Sequence, residues 1–332
     1  MDHGDLRVFA LNAGRAYGEA VGGALGVTLA AHEEREFEDG EHKARTLTSV
    51  RGCDVYVVQS LFGDAARSAD DKFVRLLFFV GALKDASAAR VTVVAPYLAY
   101  SRKDQKSKPR DPVSTRYVAA LFETAGADCM VTLDVHNLAA YQNAFRCPAE
   151  HLEAAPLFVA ALAPQLRDAD VAVVSPDAGG IKRADAFRGR LARALGRDVP
   201  MAFAEKYRSG GTLRGDALVG DVAGKVAIVV DDLISAGNTI ARTARACRAR
   251  GAVRVVACAS HGVFAPEANE VLADAAIDEL VVTDSISPLR VTEPRVVAKV
   301  RVVGTAPLFA EAIRRMHAGG SLSELGASPD AG

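Results

Sequence analysis

An α/β chain of two similar domains, each a mostly parallel sheet flanked by helices, is the architecture the sequence predicts. Three observations carry that reading. Short apolar runs recur at residues 7–11, 54–59, 90–96, 129–134, 171–175, 225–230, 254–260 and 279–283. Between most of them lie segments with helical apolar spacing, at 71–86, 114–125, 181–195 and 240–250. At 332 residues the chain exceeds the usual size of one domain, so two domains of about 150 residues each are expected.

The run from Val226 to Val230 is apolar throughout rather than alternating, the pattern of a strand covered on both faces. Alternation of the runs with helices means βαβ units. A boundary is expected where Pro148 and Pro156 bracket a segment between two α/β sets, giving domains at 1–152 and 153–317. The Gly/Ser-rich residues 318–332, poor in large apolar side chains, are expected to form a mobile tail. Thr132-Leu133-Asp134 in the first half and Val230-Asp231-Asp232 in the second both end a strand in acidic groups, a hint of duplication.

Composition narrows the class. Half the residues are hydrophobic, enough for two cores, and 40 Lys and Arg against 41 Asp and Glu leave a net charge of -1. Such a balance argues against a general binder of nucleic acid or membrane surfaces, so any basic site is local. Cys53, Cys129, Cys147, Cys247 and Cys258 are scattered without a CxxC pair, as expected of reduced, structural thiols. The acidic N-terminus and the lack of an 18-residue apolar stretch place the protein in the cytoplasm.

Chemistry concentrates at the ends of the strand runs. Residues 225–244, KVAIVVDDLISAGNTIARTA, read as a buried strand, the carboxylates Asp231 and Asp232, a loop of Ser235, Ala236, Gly237, Asn238 and Thr239, and a helix. Backbone N–H groups at a helix start, with small residues that admit a ligand closely, favour phosphate. The neighbouring carboxylates then suit sugar hydroxyls or a metal ion, so the implied ligand is a phosphorylated sugar. A second such junction runs from Ser175-Pro176 through Asp177, Ala178, Gly179 and Gly180 into Ile181-Lys182-Arg183. Paired glycines allow close approach to a diphosphate, and Asp177 offers oxygen to Mg2+.

Three further segments gain weight from this company. Phe37, Glu38, Asp39, Gly40 and Glu41 form an acidic turn. After the 90–96 strand, Pro96-Tyr97-Leu98-Ala99-Tyr100 precedes Arg102, Lys103 and Asp104, cations fit to neutralise polyphosphate. His136 follows the 129–134 strand, where it can face a metal-nucleotide. Lys206 and Arg208, beside Gly210 and Gly211, suit a mobile lid that carries positive charge to a transferring phosphoryl group.

In order along the chain, these segments resemble the PRPP synthetases, or ribose-phosphate diphosphokinases, from about residue 6 to about residue 314. That family shows FSDGE for Phe37 to Glu41, R-Q-D for Arg102-Lys103-Asp104 and D-L-H for Asp134-Val135-His136. It also shows SPDAGG for Ser175 to Gly180 and K-x-R for Lys206 to Arg208. Phosphoribosyltransferases share only the 231–239 loop.

The resemblance implies two phosphoribosyltransferase-like domains and transfer of the diphosphoryl group of ATP to the C1 hydroxyl of ribose 5-phosphate. It implies that Phe37, Asp39, Gly40, Glu41, Arg102, Lys103 and Asp104 contact ATP, and that His136 and Asp177 meet Mg2+. Asp177, Ala178, Gly179 and Gly180 would cradle diphosphate. Asp231, Asp232, Ser235, Ala236, Gly237, Asn238 and Thr239 would seat ribose 5-phosphate, and Lys206 and Arg208 would be catalytic. It further implies a homo-oligomer, dimer or hexamer, with the ATP pocket formed across a subunit contact, and no nucleic-acid or membrane partner.

The chain departs from the family pattern at Ser235, where Asp is common, at Asn238, where Gly is common, and at Lys103, where Gln is usual. Asn238 is expected to tolerate left-handed backbone angles in a Gly position. These departures leave open a paralogue acting on another pentose phosphate, and a catalytically silent regulatory homologue is the rival of a different class.

Overall fold

The computed structural model describes residues 4–209, 212–287 and 289–326. Two compact units emerge, one of Met1–Glu153 with Thr305–Gly332 and one of Ala154–Gly304. The first division falls one residue from the boundary expected from the prolines.

The first unit holds a parallel sheet in the order β1-β4-β5-β6-β7, from β1 (Leu6–Ala10), β4 (Asp54–Val58), β5 (Arg90–Ala95), β6 (Cys129–Leu133) and β7 (Ala149–Leu152). A separate antiparallel hairpin joins β2 (His32–Glu36) to β3 (His42–Thr46). Its helices are α1 (Arg15–Leu25), α2 (Ala69–Asp85), α3 (Ser114–Ala125) and α4 (Leu138–Ala144). Every residue of β4 and β6 is buried, as continuous apolar strands require. Phe9, Leu76, Phe79 and Phe122, each fully buried, fill the layer between sheet and helices.

In the second unit, after α5 (Ala155–Leu166), come β8 (Val171–Ser175), α6 (Ile181–Leu195), β9 (Met201–Ser209), β10 (Thr212–Val219) and β11 (Val226–Ile234). Then follow α7 (Asn238–Ala249), β12 (Arg254–Gly262), α8 (Ala268–Val271), β13 (Glu279–Thr283), α9 (Pro294–Val297) and β14 (Val300–Val303). The sheet order is β10-β9-β8-β11-β12-β13-β14, parallel except for the β9–β10 hairpin.

Element order repeats between the units. A strand, a 3-10 turn (Asn12–Gly14 or Ala178–Gly180), a helix and a hairpin lead to a second strand; alternating helices and strands then complete each set. By this order β4 corresponds to β11 and β6 to β13. The acidic repeat is therefore paired differently from the sequence reading: Asp134 after β6 matches Asp284 after β13. Gln59-Ser60 stand where the second unit has Asp231-Asp232.

The chain end also departs from expectation. Residues 306–317 were assigned to the second domain, but α10 (Ala306–Ala318) packs on α1 and belongs to the first unit. Its buried Ala306, Phe309, Ala310 and Ile313 have helical spacing. The ring of Tyr17 meets Phe309 edge-on, its hydroxyl lies 2.7 Å from Thr305 Oγ1, and His317 Nδ1 lies 2.9 Å from the buried carboxylate of Asp54. Within the expected tail, Ser323–Gly326 forms a short 3-10 turn, and residues 327–332 lie outside the described residues. All five cysteines are free thiols. Burial pushes Cys129 and Cys247 up to about 12 and Cys147 to about 11, so they stay protonated and inert.

Candidate active site

β8 and β11 are parallel neighbours, in register from Val171↔Val226 to Val174↔Val229. After β8 the chain turns to β9 on one side, and after β11 to β12 on the other. The carboxyl ends of β8 and β11 therefore flank a topological switch point, where open α/β sheets bind ligands. Both phosphate loops expected from the sequence start there.

The β8 loop is held by its own polar groups. Ser175 Oγ donates to the Asp177 carbonyl at 2.7 Å, and the Gly180 N–H donates to Asp177 Oδ1 at 3.0 Å. A Cβ at Gly180 would lie 2.9 Å from Ser175 Oγ, so glycine is required for the turn to close. Ala178 and Gly179 stay exposed, presenting backbone to an incoming anion.

The β11 side differs in detail from the sequence reading. The strand runs past Val230 to Ile234, because β12 continues to Gly262 and pairs with it through Asp231↔Ala259 and Ile234↔Gly262. Asp231 and Asp232 are strand residues, and the loop shrinks to Ser235-Ala236-Gly237. Asn238 and Thr239 form the first turn of α7. The left-handed angle expected at Asn238 belongs to Gly237, at φ +87°, while Asn238 is helical. Among the described residues no side chain caps this helix start and its first turn has no acid, leaving N–H groups available to phosphate.

Arg183, in the first turn of α6, joins the two loops. Its Nη1 lies 3.4 Å from Asp231 Oδ1 and 3.4 Å from Asp232 Oδ1. Burial raises Asp231 to about 7, and the adjacent Asp232 carboxyl adds to the rise; the Asp232 N–H and Arg183 oppose it. Below about pH 7 Asp231 keeps its proton, so the pair both donates and accepts hydrogen bonds. Sugar hydroxyls need that combination.

In the first unit Arg102, Lys103, Asp104 and His136 fall in the loops that follow β5 and β6, also neighbours. Asn137 Nδ2 donates to Asp104 Oδ2 at 2.8 Å while its Oδ1 caps α4 by accepting from the Ala140 N–H, so it ties the basic loop to the residue beside His136. His136 and Arg102 are exposed. Lys103 is committed within its own loop: its Nζ is 2.6 Å from Asp111 Oδ2 and 2.9 Å from Ser107 Oγ. That contact, helped by Ser107 and the Lys108 N–H, pushes Asp111 down to about 2. Three non-glycine residues in these loops hold left-handed backbone, Tyr100 at φ +63°, Arg110 at φ +67° and Asp134 at φ +32°. Such strain in non-glycine residues clusters at functional sites.

Residues 6–126 match the N-terminal domain of ribose phosphate pyrophosphokinase, and residues 214–326 match the phosphoribosyl synthetase-associated domain. The chain is 39% identical over 321 residues to a ribose-phosphate pyrophosphokinase of Caldanaerobacter subterraneus, covering 96% of this chain and 97% of the relative. It is 37% identical to one from Listeria ivanovii, covering 96% of each. The chain belongs to the ribose-phosphate pyrophosphokinase family. The crystal structure of phosphoribosylpyrophosphate synthetase from Mycobacterium smegmatis superimposes with a TM-score of 0.84 at 36% identity, over 95% of this chain and all of that one.

Against this pyrophosphokinase fold, the expected residues divide into groups. Asp177 to Gly180 and Asp231 to Thr239 converge at one switch point. Arg102, Lys103, Asp104 and His136 occupy adjoining loops of the first unit. Phe37, Asp39, Gly40 and Glu41 are at the tip of the β2–β3 hairpin. There the Phe37 N–H donates to the Glu41 carbonyl, Gly40 takes φ +88°, and Arg35 lies over the Phe37 ring at 5.2 Å. Lys206 and Arg208 fall in β9, a strand of an antiparallel hairpin where a lid loop was expected. Their side chains, and Gly210 and Gly211, lie outside the described residues.

Arg183 and Asn137 were not singled out from sequence. Arg183 carried a signal nonetheless, since Lys182 and Arg183 place two cations at a helix start, against the helix dipole, which implies a nearby anion. As for a metal, the described residues contain no group of three His, Cys, Asp or Glu side chains able to hold one. Mg2+ arriving on a polyphosphate needs only one or two protein carboxylates. Asp177 fits that need, because one oxygen is bound to Gly180 and Oδ2 has no protein partner among the described residues.

Proposed function

We propose that this chain is a ribose-phosphate diphosphokinase that moves the β,γ-diphosphoryl group of ATP to the C1 hydroxyl of ribose 5-phosphate, releasing AMP. The observation that carries the reading is the switch point of the second unit, where an uncapped helix start, a proton-sharing acid pair and a glycine turn converge. The N–H groups from Gly237 to Thr239, with Ser235, hold the 5-phosphate. Asp231 and Asp232 hold the ribose hydroxyls. Residues Asp177 to Gly180 receive the diphosphate at C1.

Arg102 and Asp104 orient the nucleotide, with His136 beside them, while Lys103 shapes their loop through Asp111. The Phe37 to Glu41 tip serves the nucleotide of a neighbouring subunit in a homo-oligomer, a dimer or hexamer. Asp177 in the second unit and His136 in the first are each assigned to Mg2+, which would neutralise charge on the phosphates when bound. Lys206 and Arg208 are the catalytic cations. In the transfer, the C1 hydroxyl oxygen forms a bond to the β-phosphorus and gives up its proton to solvent, the bond from that phosphorus to the α,β-bridging oxygen breaks, and AMP leaves with that oxygen. Little covalent chemistry falls to the protein, so alignment and charge neutralisation carry the rate.

No helix among the described residues is long and apolar enough to cross a membrane, and we assign the enzyme to the cytoplasm. Assaying AMP release with ATP and Mg2+ across a panel of pentose 5-phosphates tests the reading. Turnover confined to ribose 5-phosphate supports it. Preference for another pentose would assign the Ser235 loop to that sugar, and inactivity with every acceptor would mark a silent homologue.

A further inference from the structure

The loop assigned to the 5-phosphate does not hold its shape alone. Ser235-Ala236-Gly237 runs between the end of β11 and α7, and a second segment of the chain, residues 262–272, lies behind it. The Phe264 N–H donates to the Ile234 carbonyl at 2.9 Å, and the Ala265 N–H to the Ser235 carbonyl at 3.1 Å. These two bonds extend the β11–β12 pairing into the loop itself.

The supporting segment is itself strained and closely packed. Phe264 is fully buried and takes φ +43°, in the left-handed region that is unfavourable for a non-glycine residue. Its ring closes against Gly262, where a Cβ would lie 2.6 Å from Phe264 Cε2. Past α8, Leu272 is fully buried and reaches the underside of the loop, where a Cβ at Gly237 would lie 2.5 Å from Leu272 Cδ2 and 2.8 Å from Cγ. Leu272 is anchored in turn, its carbonyl accepting from Lys299 Nζ at 3.2 Å and its N–H donating to the Ala268 carbonyl at 3.0 Å.

We propose that Leu272 and Phe264 are positioning residues for the sugar-phosphate site, forming a buttress that fixes the left-handed Gly237 and aims the first N–H groups of α7. The inference rests on the assignment of ribose 5-phosphate to this loop. Neither side chain is among the groups assigned to a ligand. Backbone strain held by surrounding structure at a binding loop is preorganisation, because the loop then loses little freedom when the anion arrives. Without Leu272, Gly237 has room to relax and its N–H groups lose their common aim.

The test uses the full chain with Leu272→Ala, the conservative Leu272→Met and the milder Leu272→Val. The Ala variant is expected to raise both the KM and the calorimetric Kd for ribose 5-phosphate by about tenfold, with the KM for ATP within about twofold of the parent. Met, which refills the volume, restores both, and Val falls between, so the series remains informative if the Ala variant does not fold. An unchanged KM and Kd for ribose 5-phosphate in both Val and Ala variants overturns the buttress, as does an equal rise in both substrates' KM, the mark of a general packing role. Failure of the unmodified protein to bind ribose 5-phosphate instead overturns the assignment on which the buttress rests.

Discussion

Replacing Arg183 by Met removes one charge from the acid pair while keeping much of the side-chain length. Its Nη1 lies 3.4 Å from both carboxylates. At that separation, with an effective dielectric of about 20, the attraction to one ionised carboxylate is about 5 kcal/mol before screening. The guanidinium is 28% exposed, and water and the second acid reduce its effect. An adjacent Arg ordinarily lowers a carboxyl pKa by about 1–3 units. Losing it should raise the Asp231 titration further above the ordinary carboxylate range, beyond its present value of about 7.

The assay is the pH profile of kcat/KM for ribose 5-phosphate between about pH 5.5 and 9.5. The alkaline limb, where the pair loses its proton, should move to higher pH in Arg183→Met and return in Arg183→Lys. Stability should follow with a defined sign. The folded protein holds the Asp231 proton more tightly than the unfolded chain, so stability falls as pH rises from the ordinary carboxylate range towards about 7. In the Met variant that decline should extend to higher pH. An alkaline limb at the parental pH in Arg183→Met would refute the coupling.

Gly237→Ala meets two penalties, the left-handed φ of +87° and overlap with Leu272, and should destabilise by about 2–4 kcal/mol in urea unfolding; a loss below about 0.5 kcal/mol would show that the loop adjusts freely. Lys206→Ala should lower kcat by about two or more orders of magnitude, as expected on losing a preorganised charge partner of the transition state. An altered ATP KM with turnover intact would remove Lys206 from that role. Asn137→Ala breaks the bond to Asp104 and uncaps α4, so it should raise the ATP KM while leaving the ribose 5-phosphate KM near its parental value, both read from initial rates.

Much of this architecture was legible because buried parallel strands leave mostly apolar runs, as at residues 54–58, 90–95, 129–133 and 171–175. The loops that follow were legible because glycines and acids at a strand end have few other uses. The hairpins were less visible. His32–Glu36 is nearly all charged and belongs to a two-stranded ribbon, so it carries no apolar run. The short edge strands β7 and β14 have only four residues each, too few for a period. The extension of β11 to Ile234 comes from its pairing with β12, a contact distant in sequence that also made Asn238 helical rather than a loop residue. Placement of α10 with the first unit depends on Tyr17 and Asp54, nearly 300 residues earlier in the numbering for Tyr17, with Thr305 as its partner 288 positions away.

A 31P NMR time course with ATP, Mg2+ and ribose 5-phosphate observes the group that moves. AMP and a sugar bearing a diphosphate at C1 should grow in equal amounts, and both should vanish when Lys206 is replaced by Ala. Accumulation of ADP with a singly phosphorylated C1, or of free inorganic diphosphate with no new sugar signal, would contradict the transfer assigned to this site.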